Sequence, residues 1–279
     1  MKPYASIGIT LTLLPAVACV APGEGPRPTT AQSRNLMSPW TAARGEPGWT
    51  VDLTLGIESE PDYAGSDDSE TEPDLFARAL YEDRRGHRYI LNLGEVGAWW
   101  NLGDDWLLGT VLEYEQGRDN ENTALTGFDA VDDTVEGQFS LARRFGDFSL
   151  AGVLQPDLLG RGKGFVAFVA GGYDRMLTER LRLALGADLS TGDAEHMDTE
   201  FGVSASAAAA SGLAEYNPGA GLKSATVDVA LEHFFTDRFS LFLTGSAEHY
   251  FARAADSPLI DVEGSDLVYE LGLGLRYSF

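Results

Sequence analysis

Apolar and polar residues alternate with a period of two along much of this chain. In 49–57, Trp49, Val51, Leu53, Leu55 and Ile57 interleave with Thr50, Asp52, Thr54 and Gly56. The same alternation runs through 180–189, 225–235, 239–251 and 267–279. A strand sends successive side chains to opposite faces, so each segment predicts a strand with one apolar and one polar face. The last segment is the clearest. Leu267, Tyr269, Leu271, Leu273, Leu275, Tyr277 and Phe279 share one face, and Glu270, Gly272, Gly274, Arg276 and Ser278 share the other. A soluble sandwich would alternate as well. Charge on the polar faces, and a closing strand ending on Tyr277 and Phe279, favour an all-β fold. It is a transmembrane, antiparallel, up-and-down β-barrel, apolar toward lipid and polar toward its lumen.

Turns add a second regularity. Segments 101–106, 144–148, 177–181 and 235–239 are short, and each carries an acid and is flanked by an aromatic residue or Leu. They read as periplasmic turns, with aromatics at the interface. The longer polar segments 59–74, 118–133, 157–164, 193–221 and 252–265 read as extracellular loops. With Phe279 in the periplasm, strand directions agree only if 75–102 holds three strands, near 75–83, 87–93 and 94–102. The count is then about twelve, an even number that leaves no open edge in lipid. By parity Arg180, Arg182, Asp188, Asp228, Glu232, Glu248, Glu270 and Arg276 face the lumen. Such a lining is either a selective channel wall or a salt-bridged interior. A barrel of this size falls between filled small barrels and open porins, and a restricted lumen is expected.

Composition bounds what lies outside the barrel. Among 279 residues, 44% are hydrophobic, which excludes a bundle of membrane helices. The apolar run 7–20 is broken by Pro15 and falls short of the roughly 20 residues of a spanning helix. It follows Lys2 and ends in Ala16, Val17 and Ala18, so residues 1–18 are expected to be a cleaved signal peptide. Cys19 is the sole cysteine, which excludes an internal disulfide. Its context, Ala-Val-Ala-Cys, partly resembles a lipobox, so Cys19 is a candidate for lipidation. Residues 19–48, rich in Pro, Gly, Thr and Ser, predict a disordered periplasmic leader, with 49–279 as the barrel. A net charge of -23 argues against nucleic-acid partners. It suits solvated outer loops that meet the divalent cations of lipopolysaccharide.

Candidate chemistry is sparse. Of His87, His196, His233 and His249, the last two take outward parity on neighbouring strands but toward opposite ends and His196 lies in a loop, whereas a metal site needs several ligands to converge. Asp62, Asp67, Asp68, Glu70, Glu72 and Asp74 crowd one outer loop without EF-hand spacing, and read as solvated carboxylates. No spacing marks a nucleophile–base pair around His196 or His249. No enzymatic activity, catalytic residue, metal or cofactor is expected. Segment 205–211, Ala-Ser-Ala-Ala-Ala-Ala-Ser, predicts a short helix in the long loop, which folds inward, caps the mouth or lies on the surface without a role.

Four segments carry a family resemblance. The first is Pro61-Asp-Tyr-Ala-Gly-Ser-Asp-Asp68, containing Tyr63, Gly65, Ser66, Asp67 and Asp68. The second is Phe201-Gly202-Val-Ser followed by Ala-Ala-Ser211-Gly212-Leu, Tyr216 and Gly219-Ala-Gly-Leu-Lys223. The third is Ala254-Ala-Asp256-Ser257-Pro258-Leu-Ile, and the fourth is the closing Gly272-Leu-Gly-Leu-Arg-Tyr-Ser-Phe279. Together, in this order, they resemble the MipA/OmpV family of MltA-interacting outer-membrane proteins. The resemblance implies a barrel in the bacterial outer membrane. It also implies a scaffold that joins a murein hydrolase to a murein synthase, and it brings no catalytic residues. Two other functions are read beside it: a cation-preferring channel for small solutes, from the lumen charges, and an adhesin, from loops 193–221 and 252–265.

Overall fold

The computed structural model describes residues 47–279 apart from 119 and 121. The signal peptide, Cys19 and all but the end of the leader lie outside these residues. Twelve strands form one closed antiparallel barrel. They are β1 (Gly48–Pro61), β2 (Ser69–Glu82), β3 (Arg88–Asn92), β4 (Glu95–Gly103), β5 (Trp106–Glu115) and β6 (Thr134–Phe145). These are followed by β7 (Phe148–Pro156), β8 (Phe165–Met176), β9 (Leu181–Gly192), β10 (Gly221–Phe234), β11 (Phe239–Tyr250) and β12 (Leu267–Ser278). Consecutive strands pair throughout, and β1 closes on β12 with Leu53 opposite Tyr277 and Gly56 opposite Gly274.

Alternation sets the two faces. Val51, Leu53, Leu55 and Ile57 are exposed on the outer surface, while Asp52, Thr54 and Glu58 of the same strand are buried inside. In β10, Val227, Val229 and Leu231 face out and Thr226, Asp228 and Glu232 face in. Such an outer surface is stable only against hydrocarbon. No helix among the described residues is long and apolar enough to cross a membrane; the strands do so. A girdle of aromatics marks one rim. Trp49 packs on Tyr81 at 5.0 Å, Phe148 on Tyr173 at 5.0 Å, Phe235 on Phe239 at 5.5 Å and Tyr277 on Phe279 at 4.8 Å. This rim also carries the short turns, including Asp104–Asp105, whose positive φ values (49° and 63°) suit a two-residue hairpin. Aromatic girdles sit at membrane interfaces, and short turns at the periplasmic one.

The three strands expected in 75–102 are present, and β3 turns into β4 through Leu93 and Gly94 alone. Two expectations are corrected. Residues 59–74 are not one loop. β1 and β2 extend until only 62–68 connects them, so Glu70, Glu72 and Asp74 are strand residues, with Glu58 opposite Glu72 and Glu60 opposite Glu70. Acidity disguised the strand, because inward carboxylates look like solvated ones in sequence. Arg180 does not face the lumen either: it is exposed in the turn that precedes β9.

Four short helices lie in the outer loops: α1 (Ala194–Phe201), α2 (Ala205–Ser211), α3 (Ala252–Ala255) and α4 (Pro258–Asp261). The helix expected at 205–211 is α2. Its N-cap Ser204 accepts from the Ala207 amide at 3.2 Å, and Gly212 ends it. Sequence reading missed α1. Its signals were Asp193, whose carboxylate caps the His196 amide at 2.8 Å, and the apolar pair Met197 and Phe201 one turn apart.

Candidate functional site: a capped, charge-lined lumen

The outer loops converge into a cap. Tyr63 from the β1–β2 loop, Leu125 and Phe128 from β5–β6, Val203, Ala207 and Leu213 from β9–β10, and Leu259 from β11–β12 form one buried apolar cluster. Beneath it, Met197 and Phe201 of α1 pack with Ala254, Ile260, Tyr250 and Val268, and the Phe201 and Tyr250 rings meet edge-on at 5.5 Å. Met197, Phe201, Ala254 and Leu259 are fully buried. These residues lie outside the hydrocarbon region, so their burial is driven by water exclusion.

Motif residues distant in sequence meet in this cap. Tyr63 donates its hydroxyl to the Glu263 carbonyl at 2.9 Å. Gly65 has φ +84°, and a Cβ there would stand 2.6 Å from Ile260 Cδ1, so the loop needs glycine twice over. Its carbonyl accepts from the Ser265 amide at 2.7 Å, and buried Ser66 bridges to Gly264. Asp67 and Asp68 remain at the surface. Gly202 ends α1, and Ser211 donates to the Ala207 carbonyl at 2.7 Å. Asp256 precedes Ser257, which caps α4 ahead of Pro258 and donates to the Phe201 carbonyl at 2.7 Å.

Ion pairs line the periplasmic half of the lumen, linking nearby strands from β8 round to β2. Arg182 grips Asp174 with two hydrogen bonds of 2.9 and 2.8 Å and reaches Glu232 at 3.2 Å. Glu232 also takes Arg276 at 2.8 Å and the Ser240 hydroxyl at 2.7 Å. The Arg276 guanidinium lies over the Phe242 ring at 5.5 Å. Next to it Asp52 pairs with Arg78 at 2.6 Å and accepts from Ser278 at 2.6 Å. Asp52, Arg78, Glu232 and Arg276 are all buried. An ion pair in such surroundings persists only where hydrogen bonds satisfy the remaining valences, and here each carboxylate oxygen of Glu232 and Asp52 has a donor. Sequence reading singled out Arg182, Glu232 and Arg276 but not Asp174, Arg78 or Asp52. Asp52 and Arg78 were both legible from parity, Arg78 within the expected strand 75–83.

Between this network and the cap lies a cavity of ≈ 310 Å³. Three cations in its wall are each held by an acid: Lys163 by Glu115 at 3.2 Å, Lys223 by Glu248 at 3.3 Å, and Arg118 by Glu200 at 3.7 Å. Glu248 also accepts from Ser224 at 2.5 Å and Tyr250 at 3.2 Å, and Glu270 accepts from Ser246 at 3.1 Å. Asp188 and Asp228 share the inward parity of their strands, with Asp228 buried. On the far wall Glu113 of β5 stands opposite Glu136 of β6, and Glu95 of β4 pairs with Glu113 outside the cavity lining. In α1, burial and the nearby Lys223 charge hold the His196 imidazole below its ordinary pKa, and Glu200 opposes them. Burial pushes Glu200 the other way, yet Arg118, His196, Lys163 and Lys223 together keep it below the usual carboxylate value. The remaining histidines are separate: His233 packs on Phe235, His249 on Phe251, and His87 accepts from the Asn101 amide.

No curated protein matches the chain. Among solved structures it is similar in outline to the NanC porin, with 11% identity, a TM-score of 0.46, and coverage of 81% of this chain and 98% of that one. An outer-membrane channel from Pseudomonas putida F1 aligns at 14% identity and a TM-score of 0.48, covering 84% and 96%. The translocator domain of the autotransporter NalP from Neisseria meningitidis aligns at 8% identity and a TM-score of 0.47, covering 89% and 94%. The family model described as MltA-interacting protein MipA matches residues 53–279, so this outer-membrane β-barrel belongs to the MipA family.

Proposed function

We propose that the protein is a closed, non-catalytic barrel that serves as a structural anchor in the outer membrane, with murein-processing enzymes as its periplasmic partners. One observation supports the closed state: an apolar cap is packed across the outer loops, and below it the Asp174–Arg182–Glu232–Arg276 network lines the inward face of β8–β12. A diffusion pore would keep one continuous aqueous path instead. The partner class follows from the family's description, which names a protein that interacts with MltA. On the outer side, the exposed carboxylates of Asp67 and Asp68 suit divalent cations bridging to lipopolysaccharide.

Two measurements test this. In planar bilayers the purified barrel should be electrically silent; stable cation-selective steps would overturn the closed reading in favour of a small-solute channel. After crosslinking in cell envelopes, the barrel should capture a murein hydrolase or synthase. Capture of neither would remove the anchoring role.

A further inference from the structure

The cavity beneath the cap has a lining that specifies a ligand. Eight carboxylates and three cations border it, and each cation is matched to one of the eight, leaving a formal excess of five negative charges in the wall. Charge alone would describe a solvated vestibule. A second feature is chemical. His196 lies in this wall, and its Nδ1 is 3.0 Å from the Lys163 carbonyl oxygen, which can only accept. The neutral ring therefore donates from Nδ1, which leaves Nε2 as an acceptor. That Nε2 is buried and has no hydrogen-bond partner. Gln116 Oε1, in the same wall, is a second buried acceptor without a donor. The orphan donors of the wall, Nε and Nη1 of Arg118, belong to a guanidinium already held by Glu200 and the Thr199 carbonyl. An unsatisfied buried acceptor costs about 1–3 kcal/mol, so a donor is what completes His196 and Gln116, while Arg118 keeps Nε and Nη1 without a hydrogen bond beside its ion pair.

We infer that the cavity binds a small aliphatic amine, a diamine in particular. Ammonium groups supply several donors and the positive charge that the carboxylates call for. The methylene stem would lie against Phe168, Phe201, Tyr250 and Val268, which line the same space. Aromatic faces also attract cations. Size agrees: ≈ 310 Å³ sits at the lower end of ligand cavities, room for a molecule of few heavy atoms. A bare metal ion fits less well, since among the described residues no three His, Cys, Asp or Glu side chains converge closely enough to hold one. This inference goes beyond the anchoring role and does not depend on it.

The test is titration calorimetry on the full chain purified in detergent. The probes are 1,4-diaminobutane, its neutral counterpart 1,4-butanediol, and Mg²⁺. The diamine should bind saturably at one site, and the diol should give no saturable heat. In the double variant Glu113→Gln/Glu136→Gln the affinity should fall at least about tenfold, the loss of roughly 1.4 kcal/mol. Glu179→Gln, in an exposed periplasmic turn, should bind as the parent does. Absence of saturable diamine binding, or equal binding of the diol, would overturn the inference without any variant. Displacement of the diamine by equimolar Mg²⁺ would assign the carboxylates to a metal ion and overturn it too. Unchanged affinity in the double variant would place the amine elsewhere. Bilayer conductance reads the lower lumen and calorimetry reads the cavity, so the two readings fail independently.

Discussion

Ser257 donates its hydroxyl to the Phe201 carbonyl at 2.7 Å, joining two outer loops whose residues are 56 positions apart. The same oxygen accepts from the Leu259 amide at 3.2 Å, so one buried side chain both caps α4 and ties it to the end of α1. Replacing Ser257 by Ala removes both bonds and leaves the Phe201 carbonyl without this donor. The cap should lose about 1–2 kcal/mol. Limited proteolysis should then cut the outer loops faster, while the barrel keeps its resistance to unfolding in cold detergent. Equal cleavage rates would show that the bond holds nothing in place.

Phe201→Ala is the harsher change in the same region. The ring is fully buried between Tyr250 and the α3–α4 segment. Truncating it should destabilise the cap by about 3–5 kcal/mol, since a buried aromatic leaves a cavity behind. If the closed reading holds, a barrel with this cap loosened still conducts nothing, because the ion-pair network below remains intact. Conductance in this variant would show that the cap alone closes the lumen.

Glu232 is shared by Arg182 and Arg276; removing it leaves Arg182 its Asp174 partner but takes from buried Arg276 its ion pair. Glu232→Ala should cost about 3–5 kcal/mol in urea unfolding from lipid vesicles, as is usual when one partner of a buried pair is removed. Glu113→Gln, on the cavity wall, should cost less. A near-neutral Glu232→Ala would mean that water already screens the network.

Close packing at the β1–β12 seam gives a prediction for glycine. A Cβ on Gly56 would stand 2.7 Å from the Leu273 carbonyl oxygen, a backbone atom that cannot swing aside. At Gly152, on the outer face, an added Cβ meets nothing within 4 Å. Gly56→Ala should lower the yield of folded barrel and Gly152→Ala should not, as read by mobility on unheated gels. The reverse order would contradict the seam geometry.

His196 predicts a pH dependence confined to the cap. Burial and Lys223 lower its pKa in the folded state, against Glu200 and Asp193, while the unfolded imidazole titrates near its ordinary 6.5. At acidic pH the unfolded loops therefore bind more protons than the folded cap, and stability rises with pH. Above 6.5 the contribution is flat; as pH falls below that value the cap weakens. Hydrogen exchange, corrected for intrinsic rates, should show faster opening of α1 at pH about 5.5 than at about 7.5. His196→Gln should abolish that difference. A slope that survives the substitution would belong to another group.

Much of the barrel was legible because one rule, alternation under lipid, acts on every residue of a strand. Val51, Leu53 and Leu55 announce β1 without help from the rest of the chain. The rule fails where the outer face is weak. In the upper half of β2 the outward residues are Thr71 and Pro73, and the inward ones are acids, so no apolar signal remains. The cap was illegible for a different reason. Tyr63, Phe128, Val203 and Leu259 come from four loops, and nothing periodic links them. Family motifs named several of these residues without saying that they touch. The buried acceptor at His196 depends on which atom the other ring nitrogen meets, and no spacing in the sequence encodes that.

Every pairing in the barrel joins neighbouring strands except one, the seam where Asp52 meets Ser278, 226 positions away. Hairpins between neighbours close small loops at little entropic cost, whereas a contact across nearly the whole described chain closes the largest loop of all. Closure of the barrel depends on the two ends of the sheet finding each other. Until it is complete, two strand edges stand open to the bilayer or to another sheet. The seam therefore carries the largest loop-closure cost of any pairing in the barrel, and a factor that held those two edges together would lower it.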